Sequence, residues 1–336
     1  MVDLSVGTPV DPVPPVIREA LSSVSDVPGY PTTHGTPALR VAAVAAMARR
    51  FGVTGLSPDA VLPTIGSKEL VAWLPTLLGA AGRTVVIPEV AYPTYDVGAL
   101  LADPAPLRSD GLTALGPEVP ALVWLNSPAN PTGRVLPVEH LRKVVDWARE
   151  RGAVVASDEC YLSLGWEAEP VSLLHPSVCG GDVTGLLAVH SLSKSSSLAG
   201  YRAGFVTGDP DLVSRLLEIR KHAGMIVPFP VQAAMTAALT DDDHVAEQKA
   251  RFARRRAALR VALVDAGFTI DHSEAGLYLW ATRGEPAWDT VAWLAELGIL
   301  AAPGTFYGPA GAQHVRIALT ASDERISAAV VRLTTA

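Results

Sequence analysis

The chain has 336 residues, a formal charge of −7, a pI near 5.6, 18% charged residues and 49% hydrophobic ones. That length exceeds one small core, so a large domain with a smaller partner is expected, and the absence of a Lys/Arg block argues against a nucleic-acid partner. Two cysteines, Cys160 and Cys179, supply neither a disulfide framework nor metal-ligand spacing, and the longest apolar run, Leu70 to Gly82, is too short for a membrane span and is broken by Pro75.

The first residues lack the basic and apolar regions of a signal peptide, so a cytoplasmic protein is expected. Residues 1–28 are rich in proline and read as an N-terminal arm with one short helix near Val16–Ser23, expected to pack with the small domain. Apolar spacing from Leu39 to Met47 predicts a helix, and another begins at Ser67, a candidate N-cap. Short apolar runs follow at Thr84–Ile87, Ala121–Leu125, Ala153–Ala156 and Leu186–His190, with a helical pattern over Val138–Arg151. Apolar-throughout strands separated by helices are parallel strands buried on both faces, which predicts an α/β doubly wound, mostly parallel sheet.

After Gly208 the pattern turns helical, at Pro210–Ala223, Val231–Leu239 and Asp243–Ala266. It ends as strand Leu277–Thr282, helix Thr290–Leu297, strand Val315–Leu319 and helix Asp323–Leu333. The expected division is an arm over 1–28, a large domain over 29–240 and a small α+β domain over 241–336. The tryptophans Trp73, Trp124, Trp147 and Trp293 fall at apolar positions and read as core, and the two cysteines as small packed side chains. The eight histidines form no metal-binding spacing, so no metal is expected.

Ligands of open α/β sheets bind beyond the carboxyl ends of the strands. The residues there are polar: Asn126 to Gly133 after one strand, Asp158-Glu159-Cys160-Tyr161 after the next, and Ser191-Leu192-Ser193-Lys194 after a third, with Arg202 eight positions on. Each group alone suits a turn, a helix cap or a solvated lysine. Their occurrence together in this order is more specific.

The combination resembles the class I/II aminotransferases, fold-type I enzymes that use pyridoxal 5′-phosphate, over essentially the whole chain. The blocks that carry the resemblance are Asn130-Pro131-Thr132-Gly133, Asp158-x-x-Tyr161, Ser191-x-Ser193-Lys194-x7-Arg202 and Val315-Arg316-Ile317. It implies that Lys194 forms the imine with the cofactor and then moves the Cα proton, while Asp158 keeps the pyridine nitrogen protonated. Tyr161 and Asn130 would hydrogen-bond the 3′-oxygen. Arg202, Ser191, Ser193 and the backbone amides of Ser67 and Lys68 would hold the phosphate. Tyr92 would stack on the ring, and Tyr30 would reach the phosphate of a neighbouring subunit, which makes a homodimer with shared sites the expected assembly.

By the same resemblance Arg316 would bind the substrate α-carboxylate, together with Asn130, and Gly7 would lie against the substrate. Phe306 and Tyr307 are candidates to line the pocket. The segments Gly66–Trp73 and Glu274–Trp280 look most like the short actinobacterial N-succinyl-LL-diaminopimelate aminotransferases. The implied reaction exchanges an amino group between glutamate/2-oxoglutarate and N-succinyl-2-amino-6-ketopimelate. Lys68 and Lys221 are candidates for the further cations such a polyanion needs. The alternatives are another class I/II aminotransferase acting on aspartate, aromatic amino acids or histidinol phosphate, and then a pyridoxal-phosphate decarboxylase or lyase.

Overall fold

A computed structural model describes residues 1–103, 106–116 and 119–335. In chain order its first elements are β1 (Val2–Asp3), α1 (Pro15–Ser23), α2 (Pro37–Phe51), β2 (Val61–Ile65), α3 (Gly66–Leu77), β3 (Val85–Ile87), α4 (Thr94–Leu101) and β4 (Pro106–Arg108). Then come β5 (Leu122–Asn126), α5 (Val138–Arg151), β6 (Val154–Asp158), α6 (Pro176–Cys179), β7 (Leu186–Ser191), β8 (Ala203–Gly208), α7 (Pro210–His222) and α8 (Phe229–Thr240). The C-terminal part is α9 (Asp243–Asp265), β9 (Thr269–Asp271), β10 (Tyr278–Thr282), α10 (Ala287–Glu296), β11 (Ile299–Leu300), β12 (Ala302–Pro303), β13 (Val315–Ala318) and α11 (Asp323–Thr334).

The four apolar runs read from the sequence become β3, β5, β6 and β7, neighbours in a seven-stranded sheet of order β2-β8-β7-β6-β5-β3-β4. Pairing is parallel from β4 through β7, and β8 runs antiparallel to both β7 and β2. The sheet is therefore mostly parallel, as expected. Successive residues alternate between two cores. Val123, Val155 and Ala188 join Leu39, Leu141 and Met235 on one face. Leu122, Trp124, Ala156 and Leu187 join Leu70, Leu74 and Leu212 on the other. Each strand is apolar throughout because it faces helices on both sides.

Three strands of this sheet escaped the sequence reading. Both sheet edges carry proline, Pro63 in β2 and Pro106 in β4, and an edge is where a residue without an N–H is tolerated. Strand β8 contains Gly204 and ends on Gly208, so it lacks the continuous β-branched signal.

A second sheet, β12-β13-β10-β9, is antiparallel. Leu279 and Ile317 of this sheet pack with Leu259 and Leu263 of α9 and Ile326 of α11. The arm divides between the two bodies of core. Val2 and Leu4 are buried beside the small sheet, where β1 pairs with β11, whereas Ile17 of α1 is buried in the core of the large sheet. The arm packs on the small domain as far as Asp11, which pairs with Arg255 of α9, whereas α1 packs on the large sheet instead. Trp73 is also not core, being 39% exposed. Helix α3 starts at Gly66, with Ile65 as its cap residue, so Ser67 lies inside the first turn and is not the N-cap.

Candidate active site

Strands β5 and β6 end side by side, with Asn126 and Asp158 in register, and β7 ends beside them at Ser191. Over these ends opens a cavity of about 720 Å³. Gly7, Ser67, Lys68, Tyr92, Asn130, Asp158, Tyr161, Ser191, Ser193, Lys194, Arg202 and Arg316 all line it. Tyr30 does not; it is fully exposed on this chain. Residues as far apart in sequence as Gly7 and Arg316 are gathered because the sheet aligns its strand ends and the small sheet closes one side.

The floor of the cavity is a buried carboxylate. Burial pushes the Asp158 carboxyl up, and hydrogen bonds from Cys160 and Tyr95 oppose this. The Tyr95 hydroxyl donates to Oδ2 at 2.9 Å and the Cys160 backbone N–H donates to Oδ1 at 3.2 Å. Asn126 Nδ2 donates to the Asp158 carbonyl at 2.9 Å, while its own side-chain oxygen accepts from the Asn130 N–H at 2.8 Å. One strand-end asparagine therefore fixes both Asp158 and the Asn130 turn. Tyr95, three residues beyond Tyr92, was not singled out in the sequence. Burial and the neighbouring Asp158 hold its phenol well above the usual tyrosine range, so it stays a hydrogen-bond donor.

One end of the cavity is rich in donors. Arg202 gives one hydrogen bond to the Ala199 carbonyl at 2.7 Å. Its remaining N–H groups lie against Gly66, where a Cβ would stand 2.3 Å from Nη2. Gly66 has φ +68°, a conformation that favours glycine, and the guanidinium also leaves no room for a Cβ there. The first amides of α3, which have no partner within the helix, open on the same space as the Ser191 and Ser193 hydroxyls. Cys160 is not a bland packed cysteine either: it lines the cavity and its thiol donates to Ser67 Oγ at 3.1 Å.

The Lys194 amine reaches across the cavity and donates to the Gly7 carbonyl. The Lys68 amine stands 5.5 Å from the centre of the Tyr92 ring and has no carboxylate partner among the described residues. Lys221 is elsewhere, exposed on α7 and paired with Glu218 at 2.5 Å. On the far side Arg316, from β13, donates to Asn130 Oδ1 at 3.0 Å and to the Ser5 carbonyl at 2.6 Å. Tyr278 and Tyr307 flank its guanidinium, with ring centres 4.0 Å and 5.0 Å away. Phe306 turns outward, 56% exposed, and packs on Trp288, so of the two expected aromatics only Tyr307 is near the site.

Behind Asp158 lies a second titratable pair. Burial pushes Glu159 up to about 7 and His190 down to about 3, and their nearest side-chain atoms are 3.6 Å apart. Among the described residues no group of three or more metal-ligating side chains occurs.

The cavity thus offers a donor-rich, cationic end, a buried carboxylate, a lysine amine and an aromatic face. These are the complements of a phosphate, a pyridinium nitrogen, an aldehyde and a ring, so the residues fit pyridoxal 5′-phosphate.

Comparison with known proteins points the same way. The family model "Aminotransferase class I and II" matches residues 1–333. A protein of Mycobacterium tuberculosis described as a probable aminotransferase is 70% identical over 335 residues, 99% of this chain and 80% of its own length. The 4-dedimethylamino-4-oxo-anhydrotetracycline transaminase of Streptomyces rimosus is 60% identical, over 99% of this chain and 93% of its own. Among solved structures, a probable N-succinyldiaminopimelate aminotransferase from Thermus thermophilus superposes with a TM-score of 0.89 at 30% identity, covering 100% of this chain and 94% of the other.

Proposed function

The chain belongs to the class I and II aminotransferases, which depend on pyridoxal 5′-phosphate, and from that premise we propose that it transfers the amino group of glutamate to N-succinyl-2-amino-6-ketopimelate. The observation that carries the acceptor is Lys68: its amine faces the cavity without an anionic partner among the described residues. A substrate with distal carboxylates would supply that partner.

When bound, the cofactor delocalises the electron pair left at the substrate Cα. In the proposed roles Asp158, held by Tyr95 and Cys160, keeps its charge against the ring nitrogen. Lys194 binds the cofactor and, once freed, carries the proton taken from the substrate Cα on Nζ. Arg202, Ser67, Ser191, Ser193 and the first amides of α3, including that of Lys68, hold the phosphate, and Tyr92 packs on the ring. Asn130 and Tyr161 hydrogen-bond the 3′-oxygen. Arg316 forks the substrate α-carboxylate with Asn130 and Gly7 beside it, so that the Cα–H bond is held in one orientation. Tyr30, outside its own cavity, completes the phosphate site of a second copy in a homodimer.

A second reading takes its support from the Streptomyces rimosus relative, whose name specifies an oxo-anhydrotetracycline. In that reading the acceptor is a polycyclic ketone. Absorption spectra separate the two. Glutamate should discharge the visible band of the bound cofactor, and N-succinyl-2-amino-6-ketopimelate should restore it. Discharge without restoration by this keto acid would keep the aminotransferase and discard the diaminopimelate assignment.

A further inference from the structure

Tyr278 lies in the Glu274–Trp280 segment without a role of its own in the sequence, yet it touches three parts of the site at once. Its ring lies 4.0 Å from the Arg316 guanidinium carbon. Its hydroxyl is 3.2 Å from that of Tyr161. Gly7 approaches it so closely that a Cβ at that position would stand 2.0 Å from the Tyr278 hydroxyl oxygen and 2.8 Å from Cζ. Strand pairing explains the first contact. Trp280 is opposite Arg316 and Tyr278 opposite Ala318, so Tyr278 is the diagonal neighbour of Arg316 on the face turned to the cavity.

We propose that Tyr278 is a positioning residue that joins the Arg316 fork, the Tyr161 hydroxyl and the Gly7 segment of the arm into one substrate-binding unit. The proposal rests on the reading of Arg316 as the carboxylate fork. Each contact has its own consequence. The phenol face confines a long, rotamer-rich guanidinium to the plane that a carboxylate needs, and the attraction of cation for ring adds to that restraint. The hydroxyl hydrogen-bonds that of Tyr161, either oxygen being able to donate, and so holds the two phenols together. The space at Gly7 sets how near the arm comes: no larger residue fits while the phenol keeps its place. A ligand carboxylate on Arg316 therefore meets a fork whose orientation depends on the neighbouring phenol.

Glutarate, which has both carboxylates of glutamate and no amine, is the probe. Its binding to the holoenzyme is measured by calorimetry, with the visible cofactor band as the check that the site is loaded. Tyr278→Leu is expected to weaken glutarate about tenfold, within the range of a desolvated cation–π contact. Tyr278→Phe keeps the ring and loses less. Gly7→Ala is expected to weaken glutarate in the wild-type background and to do so less in the Tyr278→Phe background, because the nearest clash, the hydroxyl oxygen, is gone. If the two residues acted on glutarate independently, the substitutions would be additive. If Arg316→Met abolishes glutarate binding while Tyr278→Leu binds like wild type, the Tyr278 proposal falls and the carboxylate fork stands. If Arg316→Met also binds like wild type, the fork itself is wrong and the proposal falls with it. Should Tyr278→Leu fail to fold, the Gly7→Ala comparison decides, and equal losses in both backgrounds overturn the proposal.

Discussion

The end of the cavity around Asp158 and Arg202 takes its groups from adjoining strand ends of one sheet and from the helix beside them, whereas the Arg316 end is assembled from segments far apart in the chain. Asn126, Asp158 and Ser191 lie on consecutive strands, and their spacing follows from the ladder. Arg316 reaches the Ser5 carbonyl across 311 residues of sequence, and Tyr278 meets Gly7 across a comparable gap. The first end is fixed by the register that forms the core. The second depends on the arm and the small sheet meeting over the large one. The two ends should therefore fail differently, one by losing cofactor or chemistry, the other by losing substrate.

The largest effect is expected at Lys194. Lys194→Ala should lower steady-state transamination by at least about 10³-fold, within the contribution of a positioned general base. Residual activity within tenfold of wild type would contradict its role. Arg316→Met should lower kcat/KM for glutamate by about 10- to 150-fold, the equivalent of about 1.5–3 kcal/mol for a charge-assisted hydrogen bond, and leave the cofactor dissociation constant unchanged. Loss of cofactor from this variant would erase the distinction between the ends. Tyr95→Phe should give the reverse pattern: cofactor bound about tenfold more weakly as Asp158 loses one donor, with KM for glutamate of the loaded enzyme retained.

The smallest effect concerns pH. Glu159, raised from 4.5 to about 7, gives stability that is fully present below pH 4.5 and lost as pH rises through 7. His190, lowered from 6.5 to about 3, gives stability present above pH 6.5 and lost as pH falls through 3. Between 4.5 and 6.5 the two cancel, because folding moves one proton from the imidazole to the carboxyl. Glu159→Gln removes the first contribution, so its melting temperature should fall further below that of wild type as pH drops from 6.5 to 4.5. A constant difference across that window would rule out the proton transfer.

The same contrast marks what was legible in the sequence. The four central strands and the residues at their ends stood out because burial on both faces leaves unbroken apolar runs, after which polar groups are conspicuous. The edge strands were hidden by Pro63 and Pro106, which pattern rules count against a strand although an edge admits them. Tyr95 and Tyr278 were hidden for another reason. Their spacing is that of ordinary core aromatics, and what makes them functional is a partner, Asp158 or Arg316, distant in sequence and brought near by the fold. Phe306 shows the converse: its place in a glycine-flanked loop beside Tyr307 suggested the pocket, and the turn of Gly304–Tyr307 points it outward.

The central claim is that Lys194, and not Lys68 in the same cavity, holds the cofactor. Borohydride reduction of the holoenzyme followed by peptide mass spectrometry tests it directly. The pyridoxyl group is expected on the peptide containing Lys194 and nowhere else. Its appearance on Lys68, or on no lysine while the visible band is present, would contradict the account.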